Sequence, residues 1–205
     1  MNIITENLGK RFNREWIFKK LDFTFKSGNC YAIVGPNGSG KSTLLQVLWG
    51  QVPQSAGIIS YFHDEIIIPQ ENVFQHVSIA TPYMELIEEF TLEEMIEFHF
   101  KFKKILNGLS RDNLIQIMEL DHARQKQISN FSSGMRQRLK LGLAFYADTT
   151  SLFLDEPTTN LDKKSIEWYH MNLTKTTASR LVLIASNAEH EYPANAQKVD
   201  LLELK

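Results

Sequence analysis

A glycine-rich segment near the start of the chain constrains its fold more than any other feature. It follows the apolar stretch 30–34, precedes leucines at helical spacing, and reads Gly35-Pro36-Asn37-Gly38-Ser39-Gly40-Lys41-Ser42-Thr43. This satisfies the pattern G-x-x-x-x-G-K-[ST], in which backbone N–H groups and a helix N-terminus face phosphate oxygens. We predict a strand, a loop and a helix that bind a nucleotide, with Lys41 on the β and γ phosphates and Ser42 on Mg²⁺. A turn that only caps a helix is disfavoured, because the motif lies between a buried strand and an amphipathic helix.

Composition limits the classes of protein to which the chain can belong. A length of 205 residues suits one α/β domain, and a net charge of −2 gives no reason to expect nucleic acid as a partner. The single cysteine, Cys30, excludes an internal disulfide and fits a reducing compartment. The N-terminus lacks the pattern of a secretory signal, and the longest apolar runs have the length of strands. We therefore expect a protein that stays inside the cell and reaches a membrane only through a partner.

Periodicity predicts strands that alternate with helices, as in a parallel sheet with crossover connections. Buried strands are expected at 151–154 and 181–186, with a helix at about 164–174 between them. A last core strand is expected at 201–204. The whole chain, 1–205, is interpreted as a single domain.

The middle of the chain, about 83–130, is predicted to be a helical subdomain inserted in the core. Thr91 followed three residues later by Glu94 has the form of a capping box. One apolar stripe follows this box and consists of Met95, Phe98, Phe102 and Ile105. A second helix is expected before residue 120, and another begins after Ser132-Ser133 and continues to about Ala147.

Two adjacent carboxylates follow the apolar run 151–154. At the carboxyl end of a strand beside a phosphate loop, Asp155 can hold Mg²⁺ through water and Glu156 can polarise an attacking water. Acidic residues after strands are often helix caps, so the pair is a weak signal by itself. Together with the glycine-rich loop, it indicates a site that binds and hydrolyses a nucleotide.

A third motif lies between the loop and the acidic pair and reads Phe131-Ser132-Ser133-Gly134-Met135-Arg136-Gln137-Arg138. It resembles the signature of ATP-binding cassette (ABC) proteins, which is usually Leu-Ser-Gly-Gly-Gln followed by a basic residue, Gln and Arg. Directly after the acidic pair, Pro157-Thr158-Thr159-Asn160-Leu161-Asp162 looks like the D-loop of that family. The resemblance covers essentially the whole chain, with the motifs in the family's order.

The resemblance implies a P-loop NTPase fold of the RecA-like kind, an α/β core with an antiparallel β-subdomain and an inserted helical subdomain. It also implies that the signature closes on the γ-phosphate of ATP held by a facing subunit, with Asp162 in the D-loop beside it. The signature residues expected to act in this way are Ser132, Ser133, Gly134 and Met135. The alternative, in which the two serines only cap a helix, does not explain the glycine or the following Gln137 and Arg138.

The resemblance further implies an aromatic residue that stacks on adenine, ahead of the first core strands. Phe12 in Lys10-Arg11-Phe12 is the best match, and Trp16 is the second choice. An aromatic residue in this region can instead belong to the core of the β-subdomain.

The chain departs from the family at two positions. Pro82 stands where the family's Q-loop has a glutamine, and Gln70 and Gln75 lie too early unless the loop is shifted. Asn187 stands where the family has its switch histidine, and an amide donates a hydrogen bond but carries no charge. His190 is the candidate substitute, although a histidine in a polar stretch is more often solvated. Because both the Q-loop glutamine and the switch histidine are replaced, we expect slow hydrolysis.

In functional terms, the resemblance implies the ATPase subunit of a transporter, cytoplasmic and peripheral on the inner face of the cell membrane. Its cofactors are expected to be ATP and Mg²⁺. Its partners are expected to be a second copy or another cassette ATPase, which together enclose the nucleotides, and separate transmembrane permease subunits. The residues expected to meet the permease, which can equally pack inside the helical subdomain, are Tyr83, Met84, Leu86 and Ile87.

Two other functions fit parts of the sequence. A soluble cassette ATPase acting on DNA or ribosomes is the main alternative, but such relatives typically carry coiled-coil insertions or two linked cassettes. This chain has neither feature. A P-loop kinase or GTPase gives no reason for the motif from Ser132 to Arg138.

Overall fold

In the computed structural model, which describes residues 1–106 and 108–204, two β-sheets form the framework of the fold. Within those residues the strands are, in chain order, β1 (Asn2–Phe12), β2 (Glu15–Phe25), β3 (Cys30–Val34), β4 (Ala56–His63), β5 (Ile66–Ile68), β6 (Val77–Ala80), β7 (Ser151–Asp155), β8 (Leu181–Ala185) and β9 (Gln197–Asp200). The α-helices are α1 (Lys41–Leu48), α2 (Val73–His76), α3 (Leu92–His99), α4 (Arg111–Ile117), α5 (Ser133–Phe145) and α6 (Lys163–Thr177).

One sheet is antiparallel and the other is parallel. The antiparallel sheet has the strand order β2-β1-β4-β5, and the parallel sheet has the order β6-β7-β8-β3-β9. The predicted α/β architecture with an antiparallel β-sheet is therefore confirmed.

The parallel sheet is apolar on both faces, so alternate residues of each strand enter different cores. On β3, Cys30 and Ala32 pack with side chains from α3 to α6. Tyr31 and Ile33, which face the other way, pack with α1 and the antiparallel sheet. The sheet is thus covered on one side by helices and on the other by α1 and the second sheet.

The three central strands end at the same edge of the parallel sheet. Ile33 of β3 and Asp155 of β7 both pair with Ala185 of β8. The segments that follow these strands must therefore meet at this edge, which is where parallel α/β sheets bind their ligands.

The predicted capping box is confirmed at the start of α3. The backbone N–H of Thr91 donates to Oε2 of Glu94 at 2.8 Å, and the backbone N–H of Glu94 donates to Oγ1 of Thr91 at 3.3 Å. The helices predicted after Ser132-Ser133 and around 164–174 are also present, as α5 and α6. Local sequence patterns therefore predicted the starts of these three helices correctly.

The apolar stripe predicted after the capping box is wrong beyond the first helical turns. α3 ends at His99, and Phe102 is 73% exposed. The ammonium group of Lys103 instead donates to the backbone carbonyls of Phe74 and Val77, which holds this part of the chain away from a helical path. None of the described residues between 100 and 110 is helical, so the predicted helical range is interrupted.

The last strand also differs from the prediction. It lies at Gln197–Asp200, and a 3₁₀ turn occupies Leu201–Leu204. The side chain of Asp200 accepts a hydrogen bond from the backbone N–H of Leu202 at 2.8 Å, and such an Asx turn ends a strand. The leucines gave the segment the apolar character of a strand, but this turn is the stronger local determinant.

Candidate nucleotide-binding site

The glycine-rich loop connects β3 to α1 and needs glycine for its backbone path. Gly35, Gly38 and Gly40 have φ values of 140°, 76° and 106°. A Cβ atom on Gly40 would also lie 2.1 Å from Cγ2 of Ile17 in β2. The loop therefore follows a curled path against the antiparallel sheet that other residues could not adopt without strain.

Two polar groups inside the loop are placed to meet an anion. The Nζ of Lys41 donates to the backbone carbonyls of Gly35 at 2.9 Å and Pro36 at 3.3 Å, although the residue is only 6% exposed. The Ser39 hydroxyl is buried, and no hydrogen-bond partner for it exists among the described residues. A buried cation held by neutral carbonyls and an unpartnered hydroxyl both fit a phosphate group.

The acidic pair lies at the carboxyl end of β7. Asp155 is 3% exposed, and burial raises the pKa of its carboxyl group, an effect that a hydrogen bond from Ser42 partly offsets. The oxygen atoms of Ser42 and Asp155 are hard ligands of the kind that Mg²⁺ takes in nucleotide sites. The geometry therefore fits the predicted metal position.

Glu156 differs from its neighbour in exposure and backbone geometry. Its side chain is exposed, and its φ of 44° is uncommon for a residue other than glycine. The backbone N–H of Glu156 donates to the carbonyl of Ala185 at 2.9 Å, which fixes this conformation against β8. Strained backbone of this kind clusters at functional sites.

Asn187 directly contacts the glycine-rich loop. Its Nδ2 donates to Oδ1 of Asn37 at 2.7 Å, so the position of the family's switch histidine lies beside the phosphate loop. His190 does not take this place, because its Nε2 lies 3.1 Å from Oγ1 of Thr158. The position of the Asn187 amide beside the phosphate loop fits the predicted contact with a terminal phosphate.

Pro82 emerges at the same edge of the sheet. Ala80 pairs with Leu154, so the segment after β6 begins beside the acidic pair. Gln70 and Gln75 precede β6 in the chain, and Gln70 lines the same cavity as Ile79 and Met84. The replacement of the Q-loop glutamine by Pro82 therefore stays a prediction.

The candidates for adenine stacking lie on the hairpin of β1 and β2. Phe12 is 49% exposed, and Nζ of Lys10 lies 4.8 Å from its ring centroid. Trp16 is 37% exposed and packs on Gly9, where a Cβ atom would come within 2.9 Å of the indole. Since Ile17 of the same hairpin contacts the glycine-rich loop, both rings remain candidates for the adenine.

The signature forms the N-terminal end of α5, and Ser132 is the N-cap of this helix. The hydroxyl of Ser132 accepts a hydrogen bond from the backbone N–H of Met135 at 3.2 Å, which stabilises the first turn. Ser133 is exposed and does not make this cap, so capping explains only one of the two serines. The signature packs closely against the D-loop, because a Cβ atom on Gly134 would lie only 3.0 Å from the backbone oxygen of Asn160.

Arg138 reinforces the contact between the signature helix and α6. Its guanidinium donates to the carbonyl of Met118 at 3.2 Å, to Glu119 at 2.9 Å and to the hydroxyl of Ser165 at 2.6 Å. Asp162 caps α6 by accepting from the backbone N–H of Ser165 at 2.8 Å. The sequence motif pointed to Arg138 but not to the partners that it joins.

A cavity of about 420 Å³ lies between the signature and the D-loop. Its lining includes His122, Ser133, Gly134, Asn160 and Asp162. The glycine-rich loop contributes none of the lining residues within the described part of the chain. The structure thus brings the predicted site residues together in two groups, the phosphate loop with the acidic pair and the signature with the D-loop.

Sequence reasoning missed Glu191, which is 4% exposed and bonded to Thr158. It lies in a polar stretch after β8, where no apolar periodicity indicates burial.

None of the helices within residues 1–106 and 108–204 combines the length and the apolar character needed to cross a bilayer.

Comparison with known proteins agrees with these motifs. The family model described as ABC transporter matches residues 18–159. The Nod factor export ATP-binding protein I of Burkholderia lata is 31% identical over 163 residues, which cover 78% of this chain and 53% of that protein. The linearmycin resistance ATP-binding protein of Bacillus subtilis is 29% identical and is covered to 52%, so the chain spans about half the length of these curated relatives.

A solved structure shows the same fold over the entire chain. It is a putative ABC transporter ATP-binding protein from Pyrococcus furiosus, with a TM-score of 0.82, 18% identity, and coverage of 100% of this chain and 99% of that one. At this identity the likeness concerns the fold alone, whereas the family model matches the region that carries all three motifs. The chain belongs to the ABC transporter family.

Proposed function

We propose that this chain is the ATP-binding and ATP-hydrolysing subunit of a transporter, which pairs with a second cassette ATPase and drives separate membrane-spanning subunits. The observation that carries this proposal is the division of the site into two groups on one chain. The phosphate loop and acidic pair form one half, and the signature and D-loop form the other around their own cavity. A second copy facing the first completes both halves.

Within the first half, the residues have distinct roles toward ATP. Lys41 turns from the carbonyls of Gly35 and Pro36 to the β and γ phosphates, and the Ser39 hydroxyl and loop N–H groups donate to phosphate oxygens. Ser42 and Asp155 hold Mg²⁺, which when bound supplies charge neutralisation at the phosphates. Glu156 orients and polarises the attacking water.

The signature of the facing subunit supplies the remaining donors. Ser133 is exposed at the N-terminus of α5, where the helix dipole and free backbone N–H groups favour an anion. Closure of two copies brings this helix end to the γ-phosphate of the partner's ATP. Asp162 and Asn160 of the D-loop then lie at the dimer interface.

The transporter role is supported by an apolar groove of about 490 Å³ beside the Q-loop position. Its lining includes Trp49 at the end of α1, Phe74, Met84 and Lys103. Tyr83 next to it is 76% exposed, whereas Leu86 and Ile87 are half-buried against the helical core. A helix of the membrane subunit docks here in this proposal, with Tyr83 and Met84 as contacts, while Leu86 and Ile87 serve the fold. The chain then works in the cytoplasm on the inner face of the membrane.

Nucleotide binding is tested by calorimetry with MgATP. Replacement of Lys41 by Ala is expected to weaken binding about 100-fold, since a charge-assisted contact to phosphate is lost. Lys175→Ala, on the exposed side of α6, is the matched control and should bind like wild type. Equal affinity of folded Lys41→Ala and wild type contradicts the proposed site.

The partner is tested by purifying the tagged chain from its own cells after cross-linking and detergent extraction. We expect a multi-spanning membrane protein that is lost in Tyr83→Asp but retained in Ile66→Asp, which is similarly exposed on the antiparallel sheet. Recovery of ribosomes or DNA in place of a membrane protein would support the soluble alternative.

A further inference from the structure

Glu191 makes two hydrogen bonds to Thr158, which lies in the turn of residues 156–159 that begins at Glu156 and is called the acidic turn below. Its Oε1 accepts from the backbone N–H of Thr158 at 2.8 Å and from Oγ1 of Thr158 at 2.5 Å. Tyr169 of α6 donates its hydroxyl to the backbone carbonyl of Glu191 at 2.6 Å. One carboxylate oxygen of the buried Glu191 is therefore bonded twice to Thr158, and the backbone of Glu191 is held by a separate helix.

The residue that Glu191 binds is the second residue of the D-loop and lies close to the proposed base, Glu156. Thr158 follows Glu156 by two residues, and the N–H of Thr159 donates to the carbonyl of Glu156 at 3.2 Å. Residues 156–159 thus form a closed turn whose second half is held by Glu191. We therefore expect a shift of Thr158 to move both Glu156 and the rest of the D-loop.

The same segment contacts the phosphate loop at its other end. Asn187, four residues before Glu191, donates to Asn37. Between them, His190 contacts Oγ1 of Thr158 at 3.1 Å. Because the single proton of this hydroxyl goes to Glu191, a hydrogen bond at this contact requires the tautomer in which Nε2 of His190 carries the proton. Residues 187–191 therefore bridge the phosphate loop and the acidic turn.

The burial of the Glu191 carboxylate depends on its hydrogen bonds to Thr158. A buried carboxylate is costly unless it is hydrogen-bonded, and here Thr158 supplies both donors. Burial is the main cause of the raised pKa of Asp155, and the negative charges of Glu156 and Glu191 raise it further. Glu191 thus adds negative charge near Asp155, while its hydrogen bonds hold Thr158 in place.

We propose that Glu191 is a positioning residue for ATP hydrolysis, which holds the turn bearing Glu156 at a fixed distance from the phosphate loop through residues 187–191. This inference rests on the proposed function, because it concerns the same hydrolytic site. Glu191 touches neither ATP nor the attacking water. It acts through Thr158 on Glu156 and on the D-loop.

The first test compares MgATP affinity with the single-turnover rate of hydrolysis. Thr158→Val keeps the shape but loses the hydroxyl, and its rate should fall about 10-fold while the Kd changes less than about 3-fold. Thr158→Ser should restore the rate to within about 2-fold of wild type, because the donor returns. Glu191→Ala should lose more than Thr158→Val, and Glu189→Gln, on the same turn but exposed, should behave like wild type.

The second test does not depend on hydrolysis. Hydrogen exchange at the peptide that contains Thr158 should rise about 10-fold in Glu191→Ala and stay at the wild-type rate in Glu189→Gln. Unchanged exchange, or normal single-turnover rates in folded Thr158→Val and Glu191→Ala, overturns the role of Glu191. Faster exchange in Glu191→Ala, together with a wild-type protein that does not hydrolyse ATP, overturns the proposed function and leaves the contact with Thr158 established.

Discussion

The side-chain amide of Gln137 donates a hydrogen bond of 2.7 Å to the backbone carbonyl of Pro157. Gln137 lies in the first turns of α5, directly behind the signature, and Pro157 directly follows the acidic pair. The glutamine is only 7% exposed, so water cannot easily replace it as a donor. This bond fixes the spacing between the signature helix and the acidic turn within one subunit.

Loss of this donor should cost stability. Gln137→Leu leaves the carbonyl of Pro157 buried and unpaired, which is expected to lower the free energy of unfolding by about 1–3 kcal/mol. Urea unfolding followed by circular dichroism measures the change. Gln116→Leu, at an exposed position of α4, is the matched control and should stay within about 0.5 kcal/mol of wild type. Coincident unfolding curves for Gln137→Leu and wild type would show that the bond contributes nothing.

Replacement of Glu156 by Gln should separate binding from hydrolysis. The amide keeps the shape of the side chain but cannot polarise the water, so ATP binds while single-turnover hydrolysis falls about 100-fold or more. The variant should also accumulate as a closed dimer with ATP, detected by size-exclusion chromatography with light scattering.

The control for this variant is Glu167→Gln, at an exposed position of α6. If the natural partner is a different cassette, the dimer forms only after mixing with that partner. A Glu156→Gln protein that loses nucleotide affinity but hydrolyses each bound ATP at the normal rate contradicts the assigned role.

Acid should destabilise the protein through His99. Burial, with a smaller contribution from the charge of Lys103, lowers the pKa of this imidazole from 6.5 to about 4. Its Nε2 has no partner among the described residues. Because the folded-state pKa lies below the unfolded one, the stabilisation is complete above pH 6.5 and is lost as the pH falls toward 4. The loss amounts to at most about 3 kcal/mol.

The measurement is urea unfolding at a series of pH values. His99→Gln removes the titrating group, so the stability advantage of wild type over this variant should shrink as the pH falls through this range. His122→Gln, at an exposed position, should show a constant difference. A constant difference for His99→Gln as well would mean that the imidazole titrates normally in the folded protein.

Local determinants explain what the sequence predicted correctly. The loop from Gly35 to Thr43, the capping box at Thr91 and the acidic pair after β7 each depend on neighbours within a few residues. Periodicity alone failed where a long-range contact decides the path, as when Lys103 binds the carbonyls near α2. The bond between Glu191 and Thr158 spans 33 residues, and no local pattern reports such a pairing.

The candidate site also contains residues that local sequence patterns indicate and residues that they do not. The sequence predicts roles for Lys41, Asp155 and Glu156, because their types and spacing match phosphate and metal chemistry. It did not identify Gln137 or Glu191 as structural links, since a buried polar side chain in a polar stretch looks like a solvated one. Because burial depends on the folded chain, buried and solvated polar side chains can be distinguished only in the structure.

The last prediction concerns the absence of a histidine at position 187. Asn187 contacts Asn37 of the phosphate loop, so its amide can donate to a γ-phosphate oxygen but carries no charge. Pro82 likewise offers no side-chain donor at the Q-loop position. Charge or acid–base groups of this kind contribute about 100-fold or more to a rate, so we expect slow hydrolysis by the wild type despite intact ATP binding. Asn187→His should raise the single-turnover rate about 10-fold or more, because the imidazole restores a positive charge beside the phosphate loop. Asn187→Gln, which moves the amide without adding charge, is the control and should not raise the rate. A fast wild-type enzyme whose rate Asn187→His leaves unchanged or lowers would mean that Asn187 and Glu156 already suffice, and that the site is not impaired.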